Sequence, residues 1–330
     1  MADKARRATD KRLKEIEEKL VDVYTQAEKE MRKKWDEYMA QGQARLDNLY
    51  ALYKSAPEGD EKKTALKKYQ DAFQSFTLKN RWYSDMVNQI TFHLAQTNDL
   101  AVKYINGQLS DIYRWNYNQS IPEIANTKIR FDIVDEATVK RLIEQGEIVL
   151  PKKKVDYAKD MTWNRRQINS SILQGILQGE SVDQIAKRLM PIVNNNRKAA
   201  YRTARTLITG SENRGRLDRY KDLESQGAIM HKIWIATADG RTRDWHIDID
   251  GQEVPIDDVF IDGHGNELEY PGDPGAEPET VYNCRCSMRS QFIGMRQPNG
   301  RIRYMPQHEH NGLHQKQIAD ERRRREEEEG

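Results

Sequence analysis

The sequence has 330 residues, 37% hydrophobic and 32% charged, with a mean hydropathy of −0.93, which excludes both one large core and wholesale disorder and favours two or three domains rich in exposed helix. The 54 basic and 52 acidic residues leave a formal net charge of +2, so the chain as a whole has no polyanion-binding signature. It has neither the roughly 18 consecutive apolar residues of a membrane span nor a signal peptide, and we expect it to stay in the cytosol without a membrane anchor.

Helical periodicity dominates the first 125 residues. Apolar residues recur every three or four positions over residues 13–53, which predicts a long amphipathic helix that ends before Pro57. Similar stripes over residues 66–115 predict three or four helices that pack together. We interpret residues 1–125 as a long-helix arm and bundle, and the alternative is an arm that docks on another protein.

Residues 126–226 are predicted to form a helical middle region. Asp135 has the residue type and position of an N-cap for the helix that follows it. Gly179 separates two predicted helices by a tight turn. A short basic cluster, Lys152 to Lys154, lies on a predicted loop between helices.

The predicted helix over residues 196–224 carries unusually many polar residues at helical spacing. These residues are Arg202, Arg205, Thr206, Thr209, Glu212, Asn213 and Arg216. Two interpretations remain open. The residues form either a solvated face or a buried hydrogen-bonded network that joins this helix to the next domain.

Residues 227–292 change in character. The stretch AIMHKIWIAT at residues 228–237 predicts a strand, Asp239 opens a turn, and short alternating stretches with Gly and Pro follow. CSMRSQFIG supplies a last strand, and residues 293–330 are polar and predicted to be flexible. The predicted fold class is therefore α+β and predominantly α: long N-terminal helices and a helical bundle, then a small irregular β-rich C-terminal domain.

Both cysteines of the chain lie near the end of this small domain. Cys284 and Cys286 are too close in sequence for an ordinary disulfide and suit a reduced compartment. Together with His246 they are candidate zinc ligands. The candidates for a fourth ligand are Asp239, Asp244, Asp250 and His264. The alternative is a packed, hydrogen-bonded domain without a metal.

The same region offers groups for catalysis. Candidate acids and bases are Asp244, His246, Asp248, Asp250 and Asp273, and Cys284 with His246 is a candidate thiol nucleophile pair. Neither spacing matches a specific catalytic motif, and aspartates beside glycines commonly form turns. We expect no enzymatic activity. The alternative functions are a metal-dependent enzyme acting on nucleic acid or cell wall, or a non-specific DNA-binding protein.

A series of residues in this region carries a family resemblance: Trp234, Asp239, Arg241, Thr242, Arg243, His246, Asp250, Gly251, Pro255, Phe260, Tyr270, Pro271, Gly272, Asp273, Asn283, Cys284, Arg285 and Cys286. In this order they resemble the Mu F-like phage head morphogenesis domain, which is found in minor capsid proteins of tailed bacteriophages. The resemblance covers roughly residues 160 to 292. Many relatives have Cys-x-x-Cys where Arg243 and His246 stand, and a histidine where Val281 stands.

The resemblance implies a virion component rather than a catalyst. It implies binding to the portal protein during assembly in the bacterial host cytoplasm, with capsid or scaffolding protein and viral DNA as further partners. The candidate contacts for weak, salt-sensitive DNA binding are Lys152, Lys153, Lys154, Arg202 and Arg205. The candidate structural network is Asp239, Arg241, Arg243, Asp250 and Asp273, in which Arg243 pairs with Asp250 or Asp273. The cofactor expectation is none or one structural zinc.

Overall fold

The computed structural model describes residues 4–77, 81–120, 132–178, 180, 182–237 and 239–304. The long helices come first: α1 Lys4–Ser55, α2 Asp60–Thr77, α3 Arg81–Gln119, α4 Glu136–Glu144, α5 Tyr157–Leu177 and α6 Val182–Ser225. The remaining elements are β1 Ala228–Ile235, α7 Asp244–Asp248, β2 Glu253–Pro255, β3 Phe260–Ile261, β4 Glu267–Leu268, α8 Pro278–Val281, β5 Ser287–Arg296 and β6 Ile302–Tyr304. This order confirms the predicted α+β class with a predominance of helix.

The chain divides into two compact units, each assembled from separate segments. The first unit contains residues 1–17, 103–153 and 201–330 as far as they are described, and the second contains residues 18–102 and 154–200. The predicted division into residues 1–125, 126–226, 227–292 and 293–330 stays a prediction. Within the predicted tail, residues 293–304 contain the end of β5 and the strand β6, whereas residues 305–330 lie outside the described residues, as does the boundary at residue 125.

The second unit is a helical bundle with a polar chain of hydrogen bonds in its interior. The apolar stripe of α1 is buried in it, including Leu20, Met31 and Trp35. Beside this stripe Asn98 accepts a hydrogen bond from the hydroxyl of Tyr24 at 2.7 Å and donates to the side-chain oxygen of Asn196 at 2.7 Å. Satisfied polar groups of this kind specify how helices pack, because only one arrangement pairs them all.

Helix α6 is longer than predicted. It joins the predicted helix that follows Gly179 to the predicted helix over residues 196–224. It has 44 residues and contains Pro191, which removes one backbone donor from its interior. Leu189, Ile192 and Val193 on either side of this proline are buried. Their packing in the second unit offsets the lost hydrogen bond, so the helix continues. The smaller helix α4 begins as predicted, because Asp135 caps it by accepting a hydrogen bond from the backbone nitrogen of Thr138 at 2.7 Å.

The β-rich part of the first unit contains an antiparallel sheet with strand order β2-β1-β5-β6 and a separate two-stranded pair, β3 with β4. In the central pair Trp234 of β1 lies opposite Met288 of β5. Both side chains are buried in one apolar cluster with Leu217, Tyr220 and Leu223 of α6. The C-terminal part of α6 therefore packs against the small sheet.

None of the helices in the described ranges has the length and apolarity needed to cross a membrane.

Candidate metal centre

The structure brings His246, Cys284 and Cys286 together. His246 lies on α7, and both cysteines lie on the segment between α8 and β5. The Nδ1 atom of His246 is 3.4 Å from Sγ of Cys286 and 3.7 Å from Sγ of Cys284. All three side chains are buried, and the two thiols are not joined by a disulfide.

The spacing of these three donor atoms fits a zinc ion. A tetrahedral zinc that lies about 2.3 Å from sulfur and about 2.0 to 2.1 Å from nitrogen separates the two donors by about 3.6 Å. The observed distances of 3.4 and 3.7 Å bracket that value. The three donor atoms lie within 4.8 Å of one another, so one ion can reach all of them.

The two thiols differ in their readiness to lose a proton. Cys284 accepts hydrogen bonds at Sγ from the thiol of Cys286 and from the backbone nitrogen of Cys286, the latter at 3.4 Å. These contacts and nearby positive charge lower the pKa of Cys284. Burial and the neighbouring Cys284 raise the pKa of Cys286 well above its ordinary value. Cys284 therefore loses its proton more readily than Cys286, and a bound metal ion would displace the protons of both thiols.

Aromatic rings surround the histidine. The rings of His246 and Trp234 meet edge to face with centroids 5.4 Å apart, and Trp245 approaches at 6.5 Å. With Nδ1 directed at the thiols, the Nε2 atom of His246 is buried and has no hydrogen-bond partner among the described residues. This apolar enclosure keeps water from the thiols.

The predicted candidates for a fourth ligand are not part of this group. Both carboxylate oxygens of Asp239 bind the guanidinium of Arg285, and Asp250 accepts a hydrogen bond from the backbone of Ala236 at 2.7 Å. His264 stacks on Trp245 with ring centroids 4.3 Å apart. In the described parts of the chain, no other histidine and no carboxylate lies close enough to join His246, Cys284 and Cys286 as a ligand of the same ion. Asp244 is therefore not part of the group either.

Within the predicted structural network Asp239 and Arg241 contact each other, and their side chains form an ion pair at 3.4 Å. Asp239 accepts from the backbone of Arg241 at 3.0 Å. The Arg243 guanidinium donates to the carbonyl of Tyr282. Asp273 accepts from the backbone of Glu269 at 3.0 Å and thereby shapes its own loop.

The sequence placed Arg285 in the family motif but did not predict its ion pair with Asp239, which lowers the pKa of that carboxyl. The only signal for its role was its place between the two cysteines. Its ion pair with Asp239 ties the cysteine-bearing segment to the turn that follows β1.

The polar face of α6 follows the second of the two interpretations over most of its length. Thr209, Glu212, Asn213 and Arg216 are buried, and Arg216 pairs with Glu212 at 2.9 Å. Arg202 is exposed, so the solvated interpretation holds there. Burial raises the pKa of Glu212 against the opposing effect of Arg216.

The five candidate DNA contacts divide into four exposed residues and one residue held in an ion pair. Lys152, Lys154 and Arg202 are exposed. Lys153 is exposed as well, and its ammonium group donates to the hydroxyl of Thr203 at 3.1 Å. Arg205 is occupied by an ion pair with Glu17 at 2.8 Å, so its charge is already balanced.

Comparison with known proteins gives two kinds of match. Residues 166–289 match the family model described as phage Mu protein F like protein. Over 277 residues the chain is 25% identical to minor head protein GP7 of Bacillus phage SPP1. This aligned region covers 83% of the chain and 85% of that protein. Over 139 residues, 42% of this chain, it is 31% identical to NAD(+)--arginine ADP-ribosyltransferase EFV of Enterococcus faecalis. The chain spans only 27% of that enzyme, so the enzyme's activity is not attributed to it. No solved structure matches.

Proposed function

The chain carries a domain of the phage Mu protein F-like family at residues 166–289, and from this premise we propose that it is a minor head protein of a tailed phage, a structural part of the virion that acts in head morphogenesis. The observation that carries the proposal is the extent of the similarity to the minor head protein of phage SPP1, which takes in most of both chains. A similarity confined to one shared domain would support only the presence of that domain. Here the helical regions outside the domain take part as well.

The test is removal of the chain from the phage that encodes it, with the same chain supplied from a plasmid as the control. Because a head-assembly protein acts before infection of the next cell, we expect fewer infectious particles and abnormal or empty heads by electron microscopy. The plasmid copy should restore both. Normal heads with full infectivity in the deletion phage would contradict the proposal.

We also propose that His246, Cys284 and Cys286 bind one structural zinc ion. A metal that ties α7 to the segment before β5 would add folding free energy to the small domain. The distances from Nδ1 of His246 to the two sulfur atoms support this proposal.

Elemental analysis of the purified chain tests the zinc proposal. We expect about one zinc per chain in the wild type and a loss of zinc in the His246→Ala and Cys286→Ser variants, because each removes a ligand. His264→Ala is the matched control, since that imidazole lies in the same small domain but stacks on Trp245. Zinc-free wild-type protein from zinc-supplemented cells, or a His264→Ala variant that loses its zinc, would contradict the three-ligand site.

The finer partner assignments are part of the proposal. The portal protein is the proposed partner in assembly, with capsid or scaffolding protein nearby and the host cytoplasm as the place of assembly. Co-purification with the portal protein at moderate salt is the expected result. Loss of co-purification at every salt concentration would count against portal binding.

Contact with packaged DNA is proposed to be weak and non-specific. Lys152, Lys153, Lys154 and Arg202 are exposed and available, whereas Arg205 is paired with Glu17. Because binding rests on a few phosphate contacts, we expect affinity for duplex DNA to fall with salt, with a slope of about −0.9 per contact on logarithmic axes. Arg202→Ala should reduce this slope by about one. A slope unchanged by Arg202→Ala would remove that residue from the contact.

A further inference from the structure

The peptide backbone that carries both cysteines is bound by side chains of α6. We call residues 283–288 the thiol segment. Thr206 accepts a hydrogen bond from the backbone nitrogen of Asn283 at 2.8 Å, and Thr209 donates to the carbonyl of Cys284 at 2.8 Å. A helix thus satisfies backbone groups that in a sheet would pair with a neighbouring strand.

Asn213 makes the most extensive of these contacts. Its side chain is fully buried, and its amide nitrogen shares its two hydrogens among the carbonyls of Thr209 and Pro271 at 3.0 Å and Cys286 at 3.3 Å. Its amide oxygen accepts from the backbone nitrogen of Met288 at 3.1 Å. One side chain therefore pairs with a donor and an acceptor of the thiol segment, as a peptide group of an adjacent strand would.

The thiol segment is also held from its other side. The carbonyl of Arg285 accepts from the Arg6 guanidinium at 3.0 Å and from the Thr237 hydroxyl at 2.7 Å. Carbonyls at three successive residues, Cys284 to Cys286, thus point alternately to α6 and away from it and are bound in each case. The backbone has little freedom to rotate either thiol away from His246.

We propose that Asn213 and Thr209 are positioning residues for the metal centre, which hold the thiol segment so that both sulfur atoms face His246 before an ion binds. This inference rests on the proposed zinc site. Neither residue touches the donor atoms in the described contacts, so each acts through the backbone of the cysteines. Groups that orient metal ligands in this way reduce the ordering that binding requires, and their loss usually costs about 10- to 100-fold in metal affinity.

The test compares the zinc affinity of Asn213→Ala with that of Asn116→Ala, measured by competition with a chromogenic chelator. Asn116 is an equally buried asparagine of the first unit, but it bonds Thr9 and the carbonyl of Ile112 instead of the thiol segment. Both variants should lower the melting temperature of the metal-free chain. Only Asn213→Ala should lower zinc affinity, by about 10- to 100-fold. Equal zinc affinity in the two variants would overturn the proposal.

A second pair of variants decides the question if Asn213→Ala fails to fold. Thr209→Val keeps the shape of the side chain and removes the donor to Cys284. Thr91→Val makes the same change at a buried threonine that bonds only within its own helix in the described contacts. Thr209→Val should weaken zinc binding and Thr91→Val should not. Unchanged affinity in Thr209→Val would remove Thr209 as a positioning residue.

A further readout separates failure of the zinc proposal from failure of this one. If the wild type binds no zinc, the rate at which a thiol reagent labels the folded, metal-free chain still reports how well the thiols are held. Asn213→Ala should then be labelled faster than Asn116→Ala at a temperature where both are folded. Equal labelling rates would overturn the positioning role, whatever the outcome of the metal analysis.

Discussion

Burial in the fold destabilises the charged form of Lys232. It lies on the central strand β1 with its side chain fully buried, its ammonium group donates to the carbonyl of Glu269 at 2.8 Å, and Nζ lies 5.2 Å from the ring centroid of Phe260. Burial lowers the pKa of Lys232 to about 8. The folded chain therefore releases this proton at lower pH than the unfolded chain, in which a lysine has a pKa of about 10.4.

This difference predicts a pH dependence of stability. Between about pH 8 and 10 the unfolded state binds more protons at this residue, so the free energy of unfolding should rise with pH by roughly 1 to 3 kcal/mol. Lys232→Met, which has no titrating group, should lack this rise. Urea unfolding at pH 7, 8.5 and 10 measures it. As a control, Lys198→Met on the exposed side of α6 should follow the wild type, and a rise that persists in Lys232→Met would contradict the account.

Individual residues also show what the sequence could and could not predict. His246, Cys284 and Cys286 were predicted as a group because soft ligands are rare in this chain, and the structure places them together. Their role as zinc ligands stays a prediction. The ion pair of Asp239 with Arg285 and the contacts of Asn213 could not be predicted, because they join residues 46 and 73 positions apart. Nothing in the sequence distinguishes Asp239 or Asn213 from the other acidic and amide residues of the region.

At the scale of elements, α6 packs against the loop before α8 so closely that glycine is required on both sides. A Cβ atom at Gly210 would lie 2.7 Å from the carbonyl oxygen of Gly272 and 3.1 Å from a ring carbon of Pro151. Gly272 itself has φ of +82°, which other residues rarely adopt. The close approach lets the polar face of α6 reach the backbone of the thiol segment.

Two glycine substitutions test this packing. Gly210→Ala should lower the free energy of unfolding by about 1 to 3 kcal/mol, because the added methyl group meets backbone that cannot move freely. Gly107→Ala, in the middle of α3 with nothing within 4 Å of the added atom, should raise it by about 0.5 to 1 kcal/mol through helix propensity. Chemical denaturation measures both. The same sign of change in the two variants would show that the close approach does not limit residue choice at Gly210.

Helices and strands were predicted with unequal success for physical reasons. The stripe of α1 and the cap of α4 are local signals, and the structure confirms both. The alternating stretches that became β1 and β5 were also recognised. The continuity of α6 through Pro191 was not, because the buried residues that hold the helix there make contacts that are distant in the sequence.

At the scale of the whole molecule, the match to the Mu F-like family model includes residues 166–200 of the helical second unit and residues 201–289 of the first unit, which holds the proposed metal centre. The motif from which the family was predicted, Trp234 to Cys286, lies in the first unit. The helical unit has a common amphipathic pattern that many unrelated proteins share, so this pattern predicted its structural class without indicating its partner. The similarity to a minor head protein across most of the chain is what connects both units to one proposed role.

The most direct test of that role is quantitative mass spectrometry of phage heads purified by density gradient. A minor head protein is part of the assembled particle, so peptides from both units should be found with the heads at a constant ratio to the major capsid protein. Washing at high salt should not remove them. Heads of full infectivity that contain no peptide of this chain would contradict the account.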